Sequence, residues 1–157
     1  MPSSTFTERT VASTDASATR ELGRRLAGVA RAGDLVCLYG DLGAGKTQLA
    51  KGFGAGLGVT DTVSSPSFVL MGEYEGRLRL FHLDLYRLDG PAEALAGGLV
   101  DERQAAGVTL VEWAERLGAA RPHARLDVEI EGTGDEPRAI TVRATDASYA
   151  RYPEALE

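Results

Sequence analysis

Apolar positions recur along the chain with two periods. Leu22, Leu26 and Val29 share one face of the stretch from Asp15 to Ala30, which predicts an amphipathic helix with Thr14 or Asp15 as its cap. Arg31-Ala32-Gly33-Asp34 turns into Leu35-Val36-Cys37-Leu38-Tyr39, an unbroken apolar run that reads as a buried strand. Gln48 to Leu57 predicts a second helix, closed by Gly56-Leu57-Gly58. Phe68 to Tyr74 and Arg77 to Leu83 are separated only by Glu75-Gly76, so they read as an antiparallel hairpin. Breaks at Asp89-Gly90-Pro91 and Gly97-Gly98 bound short helices predicted at Ala92–Leu95 and Val100–Ala106. Val108 to Val111 is an apolar strand ending at Glu112-Trp113, followed by a helical turn from Ala114 to Ala119. Arg125–Glu131 and Ala139–Ala144 are two late strands. Residues 1–13 read as a loose Ser/Thr-rich segment, 14–144 as one α/β domain, and 145–157 as a tail without pattern.

Between the first strand and the second helix stands Gly40-Asp41-Leu42-Gly43-Ala44-Gly45-Lys46-Thr47. This is G-x-x-x-x-G-K-[ST], the phosphate-binding loop, with every fixed position kept. The chemistry needs these residue types. Glycines let the backbone turn tightly and aim its N–H groups at phosphate oxygens. The helix start adds free N–H groups and a positive dipole end. Lys46 supplies charge to the outer phosphates, and Thr47 a hydroxyl for Mg²⁺.

Composition narrows this reading. The net charge of −6 argues against nucleic-acid binding by the chain alone, which depends on basic clusters. There is no asparagine, so the Asn-Lys-x-Asp loop by which many GTPases read guanine is absent and the base preference shifts to adenine. The single cysteine, Cys37, reads as a small core residue, excludes an internal disulfide and fits a reducing cytoplasm. No apolar run of about 18 residues offers a membrane span. The first residues lack a secretion signal.

A phosphate-loop enzyme needs an acid near its metal. Glu112 and Asp84 both close apolar strands. Either is a direct metal ligand, a holder of metal-bound water, or the group that orients the attacking water. If the hairpin's second strand runs parallel to the loop strand, Asp84 and the Ser64–Ser67 loop meet at the carboxyl edge of the sheet, where open α/β folds bind ligands. His82 faces the same side as Asp84 and reads first as a packed, hydrogen-bonded histidine. Arg87 reads first as an ion-pair partner, and Trp113 as half-buried packing.

The ordered set Gly-Asp-Leu-Gly-Ala-Gly-Lys-Thr, Ser65-Pro66-Ser67-Phe68, His82-Leu83-Asp84-Leu85-Tyr86-Arg87 and Val111-Glu112-Trp113 resembles the TsaE (YjeE) family, bacterial ATPases of tRNA threonylcarbamoyladenosine synthesis. The resemblance runs from about residue 14 to residue 144. It implies a P-loop NTPase fold: an α/β protein with a mixed, mostly parallel sheet, flanking helices and an inserted β-hairpin. It implies bound ATP or ADP with Mg²⁺, held by Thr14, Asp41, Gly43, Ala44, Gly45, Lys46, Thr47, Gln48 and Arg138. Thr47, Glu112 and Asp84 would surround the metal, and Lys46, Asp84 and Glu112 would carry catalysis. The resemblance also implies TsaB and TsaD partners, with tRNA engaged only indirectly. Ser67 stands where the family commonly has threonine, and Ala114 where proline is common.

The expected activity is ATP hydrolysis in the cytoplasm, slow for the chain alone, since completing groups supplied by a partner add about 10³- to 10⁵-fold in related switch proteins. Two other readings fit the loop. A small-molecule kinase needs an acceptor pocket and a lid carrying arginines; Arg77, Arg79 and Arg87 are the residues that bear on it. A nucleotide-gated binding module would tolerate loss of Asp84.

Overall fold

The computed structural model describes residues 8–41, 43–61, 63, 71–86, 106–132 and 134–156. Seven strands form one sheet: β1 (Glu8–Ser13), β2 (Leu35–Gly40), β3 (Met71–Tyr74), β4 (Leu80–Asp84), β5 (Val108–Glu112), β6 (Leu126–Glu131) and β7 (Arg138–Ala144). Their order is β1-β7-β6-β2-β5-β4-β3. The four central strands, β6-β2-β5-β4, run parallel, while β7, β1 and β3 add antiparallel edges. This is the mixed sheet with a parallel core that the family resemblance implies. Its β3–β4 hairpin pairs Met71 with Leu83 and Tyr74 with Leu80.

The central strands lack polar alternation because both sheet faces are covered. Val36, Leu38, Val108 and Leu110 pack on one side, under α1 (Ala16–Ala27) and α2 (Lys46–Gly56). Cys37, Phe81, Leu83 and Val111 pack on the other, with Ala114 and Leu117 of a 3₁₀ segment at Ala114–Ala120. Asp15 caps α1, accepting a 2.8 Å hydrogen bond from the Ala18 N–H. At the far end of α1, Arg77 donates to the carbonyls of Ala27 at 2.7 Å and Ala30 at 3.0 Å. The Ala27 carbonyl also accepts from the Ala30 N–H at 3.1 Å, so Arg77 adds a second donor to the end of the helix.

Two expectations change. Part of the segment expected to be loose is a strand, since Glu8–Ser13 pairs antiparallel with Arg138–Arg143. Its alternation is half-exposed edge alternation, and five of its six side chains keep some contact with water, so no apolar signal marks it. The tail is also ordered. Tyr149 accepts from the Leu35 N–H at 2.9 Å, and Tyr152 donates to Asp34 Oδ2 at 2.6 Å. Arg151 joins the same carboxylate, and Tyr152 and Leu156 complete the core in a short helix, α3 (Arg151–Glu154), and the turn after it. One helical turn is too short to display a period. The helices predicted at 92–95 and over most of 100–106 lie outside the described residues. Among the described residues, no helix is long and apolar enough to cross a membrane.

Cys37 is fully buried, and burial, reinforced by Asp127, pushes its thiol from 9.0 up to about 12. That shift alone lowers the thiolate fraction about 10³-fold at pH 8. A thiol reagent is therefore expected to label the folded chain at least ~10³-fold more slowly than the urea-unfolded chain. Rapid labelling of the folded protein would contradict this packing.

Candidate functional site

The site begins where β2 ends. Gly43 and Gly45 have φ of 83° and 113°, the left-handed region that glycine enters without a Cβ penalty. Gly45 is also the N-cap of α2, and no side chain caps the helix there. The first turn thus presents its N–H groups and positive dipole end to the loop. Leu42 lies outside the described residues.

Lys46 is 5% exposed and folds back over its own loop. Its Nζ donates to the Gly40 carbonyl and, at 3.1 Å, to the Asp41 carbonyl. It also stands 3.9 Å from the centroid of the Trp113 ring, a cation–π distance. Burial pulls the ammonium below the ordinary lysine pKa; Glu112, Glu115, Asp84 and Asp41 oppose that shift. Trp113 adopts φ 59°, an uncommon conformation for a bulky residue, and its ring meets that of Tyr86 at 4.9 Å. Packing is the role predicted for Trp113, and the structure adds the ammonium it covers.

The two strand-end acids, both candidates for the metal, come together. β4 runs parallel to β5, and Asp84 sits opposite Glu112 in register, at the carboxyl edge of the sheet. Glu112 is buried. Thr47 Oγ1 donates to its two carboxylate oxygens at 3.3 and 3.4 Å, and His82 Nε2 lies 2.6 Å from Oε2. Asp84 is half-buried and accepts from the Tyr86 N–H at 3.0 Å. A hydroxyl and a carboxylate converging at the start of α2 are hard oxygen donors. They suit Mg²⁺, which takes one or two protein oxygens and completes its shell with water and phosphate.

Beside the loop lies a cavity of about 360 Å³. Thr14, Gly43, Ala44, Gly45, Gln48 and Arg138, all predicted site residues, line it together. Asp41, Lys46 and Thr47 are not among its lining residues. Arg138 is the wall that joins two segments. It donates to the loop carbonyls of Ala44 at 2.9 Å and Gly43 at 3.3 Å, and to the Glu136 and Gly134 carbonyls of the β6–β7 turn.

Sequence reasoning missed five contributors. Arg20 on α1 donates to Gln48 Oε1 at 2.6 Å, which fixes the Gln48 side chain at the cavity. Ser13 and Thr19 share a buried hydroxyl pair at 2.7 Å beneath it. Asp135 and Glu136 close the rim. None has a local signal, because each reaches the cavity through the sheet edge or the α1–α2 crossing. The predicted Ser64–Ser67 loop, Phe68 and Arg87 lie outside the described residues.

The comparisons place the chain in a family. Residues 13–140 match the family described as Threonylcarbamoyl adenosine biosynthesis protein TsaE. The tRNA threonylcarbamoyladenosine biosynthesis protein TsaE of Bacillus subtilis is 42% identical over 139 residues, covering 88% of this chain and 87% of that one. The protein of the same name from Streptomyces coelicolor is 42% identical over 138 residues, 83% of this chain and 93% of the relative. A crystal structure of Bacillus subtilis YdiB superimposes with a TM-score of 0.78 at 36% identity, covering 95% of this chain and 93% of that one. With the phosphate loop, the two strand-end acids and the sheet order all in place, the chain belongs to the TsaE family of tRNA threonylcarbamoyladenosine biosynthesis.

Proposed function

We propose that the chain is the Mg²⁺-dependent ATP-binding and ATP-hydrolysing subunit of this biosynthesis, acting in the cytoplasm with a TsaB–TsaD pair. The observation that carries the reading is the convergence at one sheet edge of Lys46, Thr47, Glu112 and Asp84 around the start of α2. The cavity between Thr14 and Arg138 is where the adenine would sit, next to the loop that would cradle the phosphates. The net charge of −6 supports contact with tRNA through the partners.

Each residue has a distinct task in this reading. The loop N–H groups and the α2 terminus hold phosphate oxygens. Lys46 exchanges its two carbonyl partners for the outer phosphates. Thr47 and Glu112 would hold the Mg²⁺, which would neutralise phosphate charge. Asp84, half-buried with Glu112 as its neighbour in register, orients the attacking water.

The test is Mg-ATP turnover by the purified chain, alone and with the TsaB–TsaD pair of the same cell. Slow turnover alone that rises with the pair is expected. Asp84→Asn is expected to lower the stimulated rate about 10²-fold with nucleotide affinity retained. Turnover unchanged in that variant would remove Asp84 from the mechanism and favour a nucleotide-gated binding module. Fast turnover indifferent to the pair would favour phosphoryl transfer to a small acceptor.

A further inference from the structure

β4 and the residue after it bury Leu80, Phe81, Leu83 and Leu85, and His82 among them is as buried as they are, at 0% exposure. Packing alone has no use for an imidazole there. Taking two ring nitrogens out of water costs free energy that only a hydrogen bond returns. One nitrogen is repaid: Nε2 lies 2.6 Å from Glu112 Oε2, with both side chains buried. The other is not, since among the described residues Nδ1 has no partner. A carboxylate only accepts, so Nε2 carries the hydrogen of this contact. Among the described residues, the side-chain hydrogen bond that this costly residue makes is with the acid at the end of the neighbouring strand.

We infer that His82 is a positioning residue: its Nε2–H fixes the Glu112 carboxylate in the orientation that meets Thr47 and a Mg²⁺ ion. The inference rests on the Mg-nucleotide reading given above. Two geometries decide which neighbour does the fixing. The Thr47 hydroxyl lies 3.3 and 3.4 Å from the two oxygens, a long contact divided between them that leaves the carboxylate free to turn. The imidazole contact is short and goes to one oxygen. The strand register explains how it is made. His82 is paired with Leu110 and Asp84 with Glu112, so His82 reaches Glu112 diagonally across two parallel strands, on the face that α2 covers. Partners that hydrogen-bond a metal-holding group commonly set its orientation and affinity.

The test uses the full chain and its Mg²⁺ dependence of ADP binding, followed by the fluorescence of Trp113, the only tryptophan. Affinity is measured in EDTA and then across a Mg²⁺ series. His82→Leu keeps the volume and loses the donor, while His82→Gln places an amide N–H near the Nε2 position. The Leu variant is expected to keep its EDTA affinity within about 2-fold while its Mg²⁺ half-saturation rises about 10-fold. The Gln variant is expected to stay within about 3-fold of the native value. If the Leu variant does not fold, His82→Asn, whose amide ends near Nδ1, is the short control. A donor-free or short variant with native Mg²⁺ half-saturation overturns the inference, as does a Gln variant as impaired as the control. ADP binding by the native chain that ignores Mg²⁺ overturns the reading beneath it as well, and shows itself before any variant is compared.

Discussion

Lys46→Ala is expected to lower partner-stimulated ATP turnover by about 10³-fold, the lower end of what one well-placed charged group contributes to phosphoryl transfer. The melting temperature is expected to move little. The reason lies in the sign of the Lys46 shift. Burial lowers its pKa, so the folded state holds the ammonium less readily than the unfolded chain does. At neutral pH its charge therefore detracts from stability. That penalty is complete below the lowered pKa and fades as pH rises to the ordinary lysine value. Alanine removes the penalty and also leaves the Gly40 and Asp41 carbonyls without their donor and the Trp113 ring without its cation. The two effects oppose. A residue buried against its electrostatic interest but indispensable to turnover is held for its chemistry. Turnover within about 10-fold of native in the alanine variant would remove Lys46 from the phosphate site. A collapse of the melting temperature would instead make it structural.

Gly52→Ala carries the largest expected stability loss. In an exposed helix the substitution gains about 1 kcal/mol from helix propensity. Here a Cβ would sit 1.8 Å from the Arg20 carbonyl oxygen and 2.5 Å from its carbonyl carbon. Those atoms are helix backbone and cannot rotate away. The neighbouring glycines leave no slack, since a Cβ at Gly23 would stand 2.3 Å from the Leu49 oxygen and one at Gly56 2.6 Å from the Arg24 oxygen. Relief requires α1 and α2 to separate, which unpacks Leu22, Leu26, Leu49 and Phe53 beneath them. The clash outweighs the propensity gain, for a net loss of about 3 kcal/mol or more and a melting temperature lower by about 10 °C. The same separation draws Arg20 away from Gln48, so nucleotide affinity is expected to fall as well. Thermal unfolding reads the first effect and an ADP titration the second. A stabilised variant would mean that the helices do not cross this closely.

The phosphate loop was readable because its chemistry is contiguous: eight consecutive residues between an apolar run and a helix define it without any distant partner. Asp84 and Glu112 were readable as candidates because each closes an apolar strand. The place of Asp84 at the carboxyl edge was readable only conditionally, through the hairpin and the direction assumed for its second strand, and its meeting with Glu112 was not readable. The parallel pairing of β4 with β5 meets that condition. The edge strand β1 was not readable. Its order comes from the β7 ladder and from pairs such as Arg143 with Glu8 at 2.8 Å, far apart in sequence. The tail was unreadable for the same reason, since Tyr152 and Arg151 are placed by Asp34.

By itself, then, the sequence determined the α/β class, the helices at Asp15–Ala30 and Gln48–Leu57, the hairpin, and the phosphate loop with its lysine and threonine. Local backbone preference and hydrophobic period set these over a few residues. Only the tertiary structure decided that His82 holds Glu112, that Arg20 holds Gln48, and that Arg138 ties the loop to the β6–β7 turn. Each of these contacts joins residues 28 or more positions apart. Strand register and the close approach of α1 to α2 set such contacts, because they bring together side chains that the chain itself keeps far apart.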